Sequence, residues 1–265
     1  MKILKLGQML GGSNAPSGAS EFENLYSLYF DGVDDYVTCG DANVFTPNNS
    51  GANRGFSLSF WIKLPDASTQ RVLSKTDLFY SGANHYEYEV TTDFADRIKL
   101  VLYSADNNSN KITFRLNTAL SDDTWYHIAF AWDLGATNAD ILGYIDGVVH
   151  SVAAANATWT LAGSWVSVSN TENVLEFAKS ASTYGELNLD EVALFDNQLS
   201  AAEVSAIYNG GTPTDLSGES YLLGYWRNGD TAGTSVYPTI EDYSSNSNDG
   251  TMTNMDSGDI VTDVP

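Results

Sequence analysis

From Tyr26 onward the chain is a succession of short runs rich in β-branched and aromatic residues, separated by clusters of Gly, Asn, Asp and Ser. That rhythm constrains the fold more than any other feature, because short strands with frequent turns close into antiparallel sandwiches or barrels. In the clearest run, Phe56, Leu58, Phe60, Ile62 and Leu64 alternate with Ser57, Ser59, Trp61 and Lys63, the period of two of a strand. Further strands are expected over residues 26–30, 36–38, 86–90, 98–103, 112–116, 174–178, 189–195 and 221–226. Residues 125–132 are nearly all apolar, as in a central strand buried on both faces. Residues 141–145 and 148–152 flank Asp146-Gly147, the dipeptide that supplies the positive φ angles of a type I′ hairpin turn.

One helix interrupts this pattern. Ser200 and Glu203 form a capping box, Val204, Ile207 and Tyr208 share one face, and Gly210 or Gly211 can end the helix after roughly two turns. The fold class expected is therefore all-β, a sandwich of two antiparallel sheets with one short helix. Residues 1–24 read as an arm with linker chemistry at 11–18, residues 25–211 as the sandwich, and residues 212–265 as a wrap that adds edge strands to the same domain. The wrap has too few apolar residues for a core of its own.

Charge narrows the partners. The 12 Lys and Arg against 34 Asp and Glu leave a formal charge of −22. Nucleic acid and anionic membrane surfaces both call for clustered cations, so neither is expected as a partner. With 43% apolar and 12% aromatic residues the chain is not a disordered acidic polymer. Cys39 is the single cysteine, which excludes an internal disulfide. No apolar run approaches the roughly 20 residues of a membrane-spanning helix. Lys5, Gly7 and Gln8 break the apolar stretch at the start, so it is read as an arm and not as an export signal.

Six segments in order carry a family resemblance: YSLYFDGVDDYV (26–37), FSLSFWIKL (56–64), VLSKTD (72–77), DDTWYHIAFAWD (122–133), ILGYIDGVVHSV (141–152) and LNLDEVALFDNQLSAAEVSAIYNGG (187–211). Together they resemble the laminin-G-like jelly roll of the concanavalin A-like lectin and glucanase superfamily. The resemblance implies two facing antiparallel sheets with a groove on the concave face. It also implies a structural calcium ion, with Asp31 and Asp34 of the loop 31–35 meeting Asp190 of the late strand. Carboxylate oxygens are the hard ligands Ca²⁺ requires, but Asp-Gly turns also use carboxylates to cap backbone N–H groups. Residues 224–230 and 241–265 resemble the ends of jelly-roll structural proteins of marine bacteriophages, which implies a virion component.

No catalytic residues are expected. Superfamily glucanases use carboxylates spaced along one strand, whereas the nearest string, residues 186–191, has Asn188 at the central acidic position. Glu87 and Glu89 alternate correctly but lack further partners, and His85, His127 and His150 form no recognisable triad with a serine. The run Asp106 to Asn110 resembles the opening of an EF-hand, yet Lys111 and Asn117 stand where that loop needs Gly and Glu.

Sugar binding needs exposed aromatic faces and short polar groups. Trp159 and Trp165, flanking a Gly-Ser turn, and Tyr80 and Tyr86, around another loop, are the candidates, although tryptophans of this kind also serve in cores and protein contacts. Ile3, Leu4, Leu6, Met9 and Leu10 of the arm have nothing local to pack against and suit an assembly anchor. The combined expectation is a non-enzymatic bacteriophage virion protein, a capsid decoration or a tail or fibre component, assembled in the host cytoplasm. Its partners would be other virion proteins, with capsid protein foremost, a host-surface glycan and further copies of itself. The alternative is a stand-alone calcium-dependent lectin.

Overall fold

The computed structural model describes residues 22–47, 55–66, 68–76, 86–230 and 237–265. The arm residues Ile3, Leu4, Leu6, Met9 and Leu10, together with Tyr80, lie outside them. Within the first part of the chain the strands are β1 (Ser27–Asp31), β2 (Tyr36–Thr38), β3 (Phe56–Lys63), β4 (Arg71–Thr76), β5 (Tyr86–Thr92), β6 (Ile98–Ser104) and β7 (Asn107–Leu116). There follow β8 (Tyr126–Trp132), β9 (Ile141–Ile145), β10 (Val148–His150), β11 (Ala157–Ala162), β12 (Glu176–Phe177), β13 (Lys179–Ser180), β14 (Thr183–Tyr184) and β15 (Glu186–Phe195). After helix α1 (Ala201–Tyr208) come β16 (Leu222–Trp226), β17 (Thr239–Ile240), β18 (Gly250–Thr253) and β19 (Ile260–Val261).

Two antiparallel sheets face each other. Sheet A runs β10-β9-β8-β3-β15-β1-β19, with β16 continuing the edge of β15 beyond β1. Sheet B runs β11-β7-β6-β5-β4-β12-β2-β18-β17. The inner core lies between them, with Phe30, Phe60, Ile62 and Phe130 from sheet A meeting Tyr88, Val90, Phe114 and Phe177 from sheet B. Each such side chain contributes on the order of 2 kcal/mol through its burial.

A second core covers the other face of sheet A. There Ala129, Ala131, Ala193 and Phe195 pack beneath Leu199, Val204 and Ile207 of the helical segment and Leu216 of the loop after it. The alternation in β8 explains its composition. Ile128 and Phe130 point to the inner core, while Ala129 and Ala131 keep the outer face shallow enough for a helix to settle on it.

The local signals read from the sequence act as expected in two places. Asp146 and Gly147 both take positive φ, 50° and 73°, and join the paired residues Ile145 and Val148. The Ser200–Glu203 capping box forms, and Asn209 in the left-handed region closes the helix just before the two glycines. Two strands carry too weak a pattern to be read as such. β4 holds Ser74 and the buried Lys75, and β11 sets threonines and alanines around Trp159 and Leu161. No helix of the described residues is long and apolar enough to cross a membrane.

Candidate functional site

The register of sheet B sorts its side chains. Leu73, Val90, Leu100 and Phe114 are cross-strand partners that face the core. The neighbouring partners Ser74, Glu89, Val101 and Thr113 therefore turn to the outer face. On that face Glu89 accepts hydrogen bonds from Tyr103 Oη and from Ser180 Oγ, each at 2.8 Å. Ser180 Oγ lies 3.1 Å from Thr76 Oγ1. The Tyr86 ring meets the Tyr103 ring edge-on with centroids 5.0 Å apart, and Lys111 Nζ sits 5.7 Å over the Tyr103 ring. Burial, and then the charge of Glu89, push the Tyr103 phenol far above its ordinary pKa, so it remains a donor to Glu89.

Beside this chain of polar groups is a cleft of about 160 Å³ lined by Thr76, Glu172, Asn173, Glu176, Lys179 and Ala181. The β13–β14 hairpin builds one wall, held to β4 by Ser74 Oγ donating to Lys179 O at 2.8 Å and by Arg71 Nε donating to Thr183 Oγ1 at 2.8 Å. The hydroxyl, carboxylates, amide and ammonium of this cleft, with the Tyr86 and Tyr103 rings on the adjoining surface, match the donors, acceptors and C–H faces of a sugar.

Of the sequence candidates, Tyr86 belongs to this region. Trp159 lies opposite Phe114 on the core-facing side of β11, and Trp165 meets the buried Trp132 edge-on at 5.8 Å. Both indoles pack partly buried against the inner core. Tyr103 and Ser180 were missed. Tyr103 stands in an apolar strand pattern, and Ser180 reaches Glu89 only because the hairpin folds over the sheet.

Glu87 does not share Glu89's situation. It is fully buried, pairs with the fully buried Lys75 at 2.8 Å, and accepts from Thr46 Oγ1 at 2.6 Å and Thr171 Oγ1 at 2.7 Å. Lys75 also reaches Asp41 at 3.0 Å. This network fastens the segments around Thr46 and Thr171 to sheet B. His127 is also buried. Its Nε2 is 2.8 Å from Ser59 Oγ, its Nδ1 has no partner among the described residues, and burial lowers its pKa to about 3.

The acidic residues expected to share a metal fall into two groups. Asp31 and Asp34 gather with Asp35, their nearest oxygens within 4.8 Å of one another. Asp190 lies elsewhere because β1 and β15 pair with Asp31 opposite Glu186. That leaves Asp190 four residues further along β15, about 13 Å. In the first group Asp31 accepts from Val33 N at 2.8 Å and Asp35 accepts from Asp31 N at 3.1 Å, the work of turn-capping carboxylates.

The second group is more deeply buried. Asp190 is fully buried, accepts from Asn24 Nδ2 at 3.0 Å and from Glu191 N at 2.8 Å, and is driven well above the usual carboxylate range by burial and by Glu191. Among the described residues the buried Oδ1 atoms of Asn24 and Asn228 have no partner. Asn228 donates to Leu189 O at 3.0 Å, and Asp230 accepts from Leu25 N at 2.8 Å. Asn24, Asp190, Asn228 and Asp230 thus bring amide and carboxylate oxygens, the hard donors Ca²⁺ takes, to the segments joined by these hydrogen bonds.

Known proteins bear out the architecture. The model of the laminin-G family of the concanavalin A-like lectin/glucanases superfamily matches residues 28–205. A structure from Bacteroides ovatus ATCC 8483, whose description proposes a carbohydrate-binding role, aligns with TM-score 0.55 at 12% identity, over 91% of this chain and 60% of that one. This chain thus spans about three-fifths of that protein's length. A heptameric pentraxin of Limulus polyphemus aligns with TM-score 0.43 at 14% identity over 72% of this chain and 85% of its own. A Trypanosoma rangeli sialidase aligns with TM-score 0.42 at 16% identity over 72% of this chain and 28% of its own. No curated protein matches the sequence. These matches add nothing to the phage resemblance of residues 224–230 and 241–265. The ordered sequence segments, the two-sheet sandwich and the family match agree: the chain belongs to the laminin-G-like family of the concanavalin A-like lectin/glucanases superfamily.

Proposed function

We propose that this chain is a non-catalytic carbohydrate-binding domain whose glycan site is the cleft on the outer face of sheet B. The observation that carries the proposal is Glu89, half-buried and fixed by Tyr103 and Ser180, beside the Tyr86 ring and the cleft at Thr76. A carboxylate whose orientation is already set loses little entropy on accepting a sugar hydroxyl. The carbohydrate-binding role proposed for the Bacteroides ovatus structure of similar fold supports the same reading. A calcium ion held by Asn24, Asp190, Asn228 and Asp230 would serve structure, tying the segment before β1, the middle of β15 and the turn after β16 together. A glycan array probed with and without Ca²⁺ tests the proposal. Binding lost on Glu89→Ala supports it, and an array without hits in either condition overturns it.

A virion role, with this domain displayed on a capsid, tail or fibre, attached to capsid protein and binding a host-surface glycan as one of several copies, is supported by the sequence of residues 224–230 and 241–265. Mass spectrometry of purified particles tests it, and absence of the chain from them would remove it.

A further inference from the structure

We propose that the glycan recognised by sheet B is acidic, a polysaccharide carrying uronate or sulfate groups. This inference rests on the carbohydrate-binding reading above and adds the chemical class of the ligand. The ground for it is how unevenly the charge is distributed. The chain has 12 cationic side chains against 34 acidic ones, yet cations line one row across the outer face of sheet B. Arg71 on β4 pairs across with Thr91, Thr91 with Lys99 on β6, Lys99 with Arg115 on β7, and Arg115 with Thr158 on β11. Directly opposed residues of an antiparallel sheet project from the same face, so Arg71, Lys99 and Arg115 form one transverse row. All three are partly exposed. Lys111, opposite Tyr103, adds a fourth cation on the same face.

Little of this charge is neutralised within the chain. Among the described residues neither Arg71, Lys99 nor Lys111 has an ion-pair partner, and Arg115 reaches only Asp93, at 3.5 Å, which already holds Arg97 at 2.7 Å. This unpaired row is therefore open to an outside anion, and it lies on the face that carries Glu89 and the tyrosines.

The spacing favours a sparsely charged polymer. Arg71 and Lys99 stand two strands apart, about 10 Å, and Lys99 and Arg115 one strand apart, about 5 Å. Duplex DNA carries one charge per ~1.7 Å, so its repulsion from a −22 chain outweighs three contacts of this kind. A glycan charged more sparsely than this can lie across the strands, meeting cations along the row and tyrosine edges beside it.

Affinity electrophoresis of the whole chain tests this in gels containing polygalacturonate, its fully methyl-esterified form, chondroitin sulfate or a neutral β-glucan. The expected result is retardation by one or both acidic polymers, little by the esterified or neutral ones, and loss of retardation in high salt. Lys99→Gln and Arg71→Gln should each weaken binding about tenfold, the size of one charge-assisted contact. Unchanged melting temperatures would show both variants folded. Equal binding to the esterified and free polymers, or unchanged affinity in folded Lys99→Gln and Arg71→Gln, overturns the inference and leaves the carbohydrate reading standing. Equal retardation by duplex DNA overturns it too, because the row would then be a generic anion surface. No binding to any polymer here or on the array removes both readings.

Discussion

His127 Nε2 lies 2.8 Å from Ser59 Oγ on the outer face of sheet A, and among the described residues the second ring nitrogen of that histidine has no partner. The imidazole is held in a neutral site beside Trp61 and Tyr208. Its pKa falls from the ordinary value to about 3 in the fold because burial penalises the charged form.

Between pH 6.5 and 3 the unfolded chain therefore binds a proton at His127 that the folded chain refuses. Stability from this group is fully present above pH 6.5 and is lost as the pH falls toward 3, by about 5 kcal/mol in total. Urea unfolding measured across that range should be less steep in pH for His127→Gln than for the wild type. Identical slopes would show that the histidine is not buried in neutral form.

Breaking the Lys75–Glu87 pair from one side should be far worse than removing it whole. Glu87→Leu leaves a fully buried ammonium reaching only Asp41, and a loss of about 3–5 kcal/mol is expected. The double variant Lys75→Met with Glu87→Leu should cost clearly less than the two single losses summed. A double-mutant cycle from denaturant melts checks this, and strict additivity would show that the two groups are not coupled.

Calcium should stabilise the chain through Asp190 and not through the loop at Asp31. Calcium at about 100 times its dissociation constant should raise stability by about 2.7 kcal/mol. Asp190→Ala should abolish the rise in melting temperature, whereas Asp31→Ala and Asp34→Ala should keep it. Differential scanning calorimetry with Ca²⁺ or EDTA separates the two acidic groups, and a rise that survives Asp190→Ala rejects the assignment.

Glycan affinity should fall about tenfold in Glu89→Ala, and by a similar factor in Tyr86→Ala, where a partly exposed ring is removed. Trp165→Ala should instead lower stability, since its ring packs on Trp132. Titration calorimetry beside thermal melts distinguishes the two effects. A Trp165→Ala variant that melts normally but no longer binds would move the site to that side of the molecule.

The fold was legible because its signals are local. Period-two alternation in residues 56–64, an Asp-Gly turn at 146–147 and a Ser–Glu capping box at 200–203 each act within a few residues. The second core was only half legible: the apolar run of β8 showed that both its faces are covered, but not that Leu216 helps to cover one. The site was less legible still, because it is assembled by register. Nothing near Ser180 in sequence indicates that it meets Glu89, 91 positions away. Asp190 was singled out, but its neighbours Asn24 and Asn228 come from opposite ends of the chain.

The two sheets also differ in how freely their surfaces can diverge. Sheet A is covered on both faces, so almost any change in β8 or β15 disturbs one core or the other. Sheet B is covered fully on one face and only in part on the other, where the β13–β14 hairpin folds over β4. Residues such as Lys99, Thr113 and Arg115 can be exchanged without moving Leu100, Ile112 or Phe114 behind them. One sheet is the chassis and the other a rewritable surface, so a new ligand preference can be acquired, or engineered, by substitutions at alternate positions of β5, β6 and β7 alone.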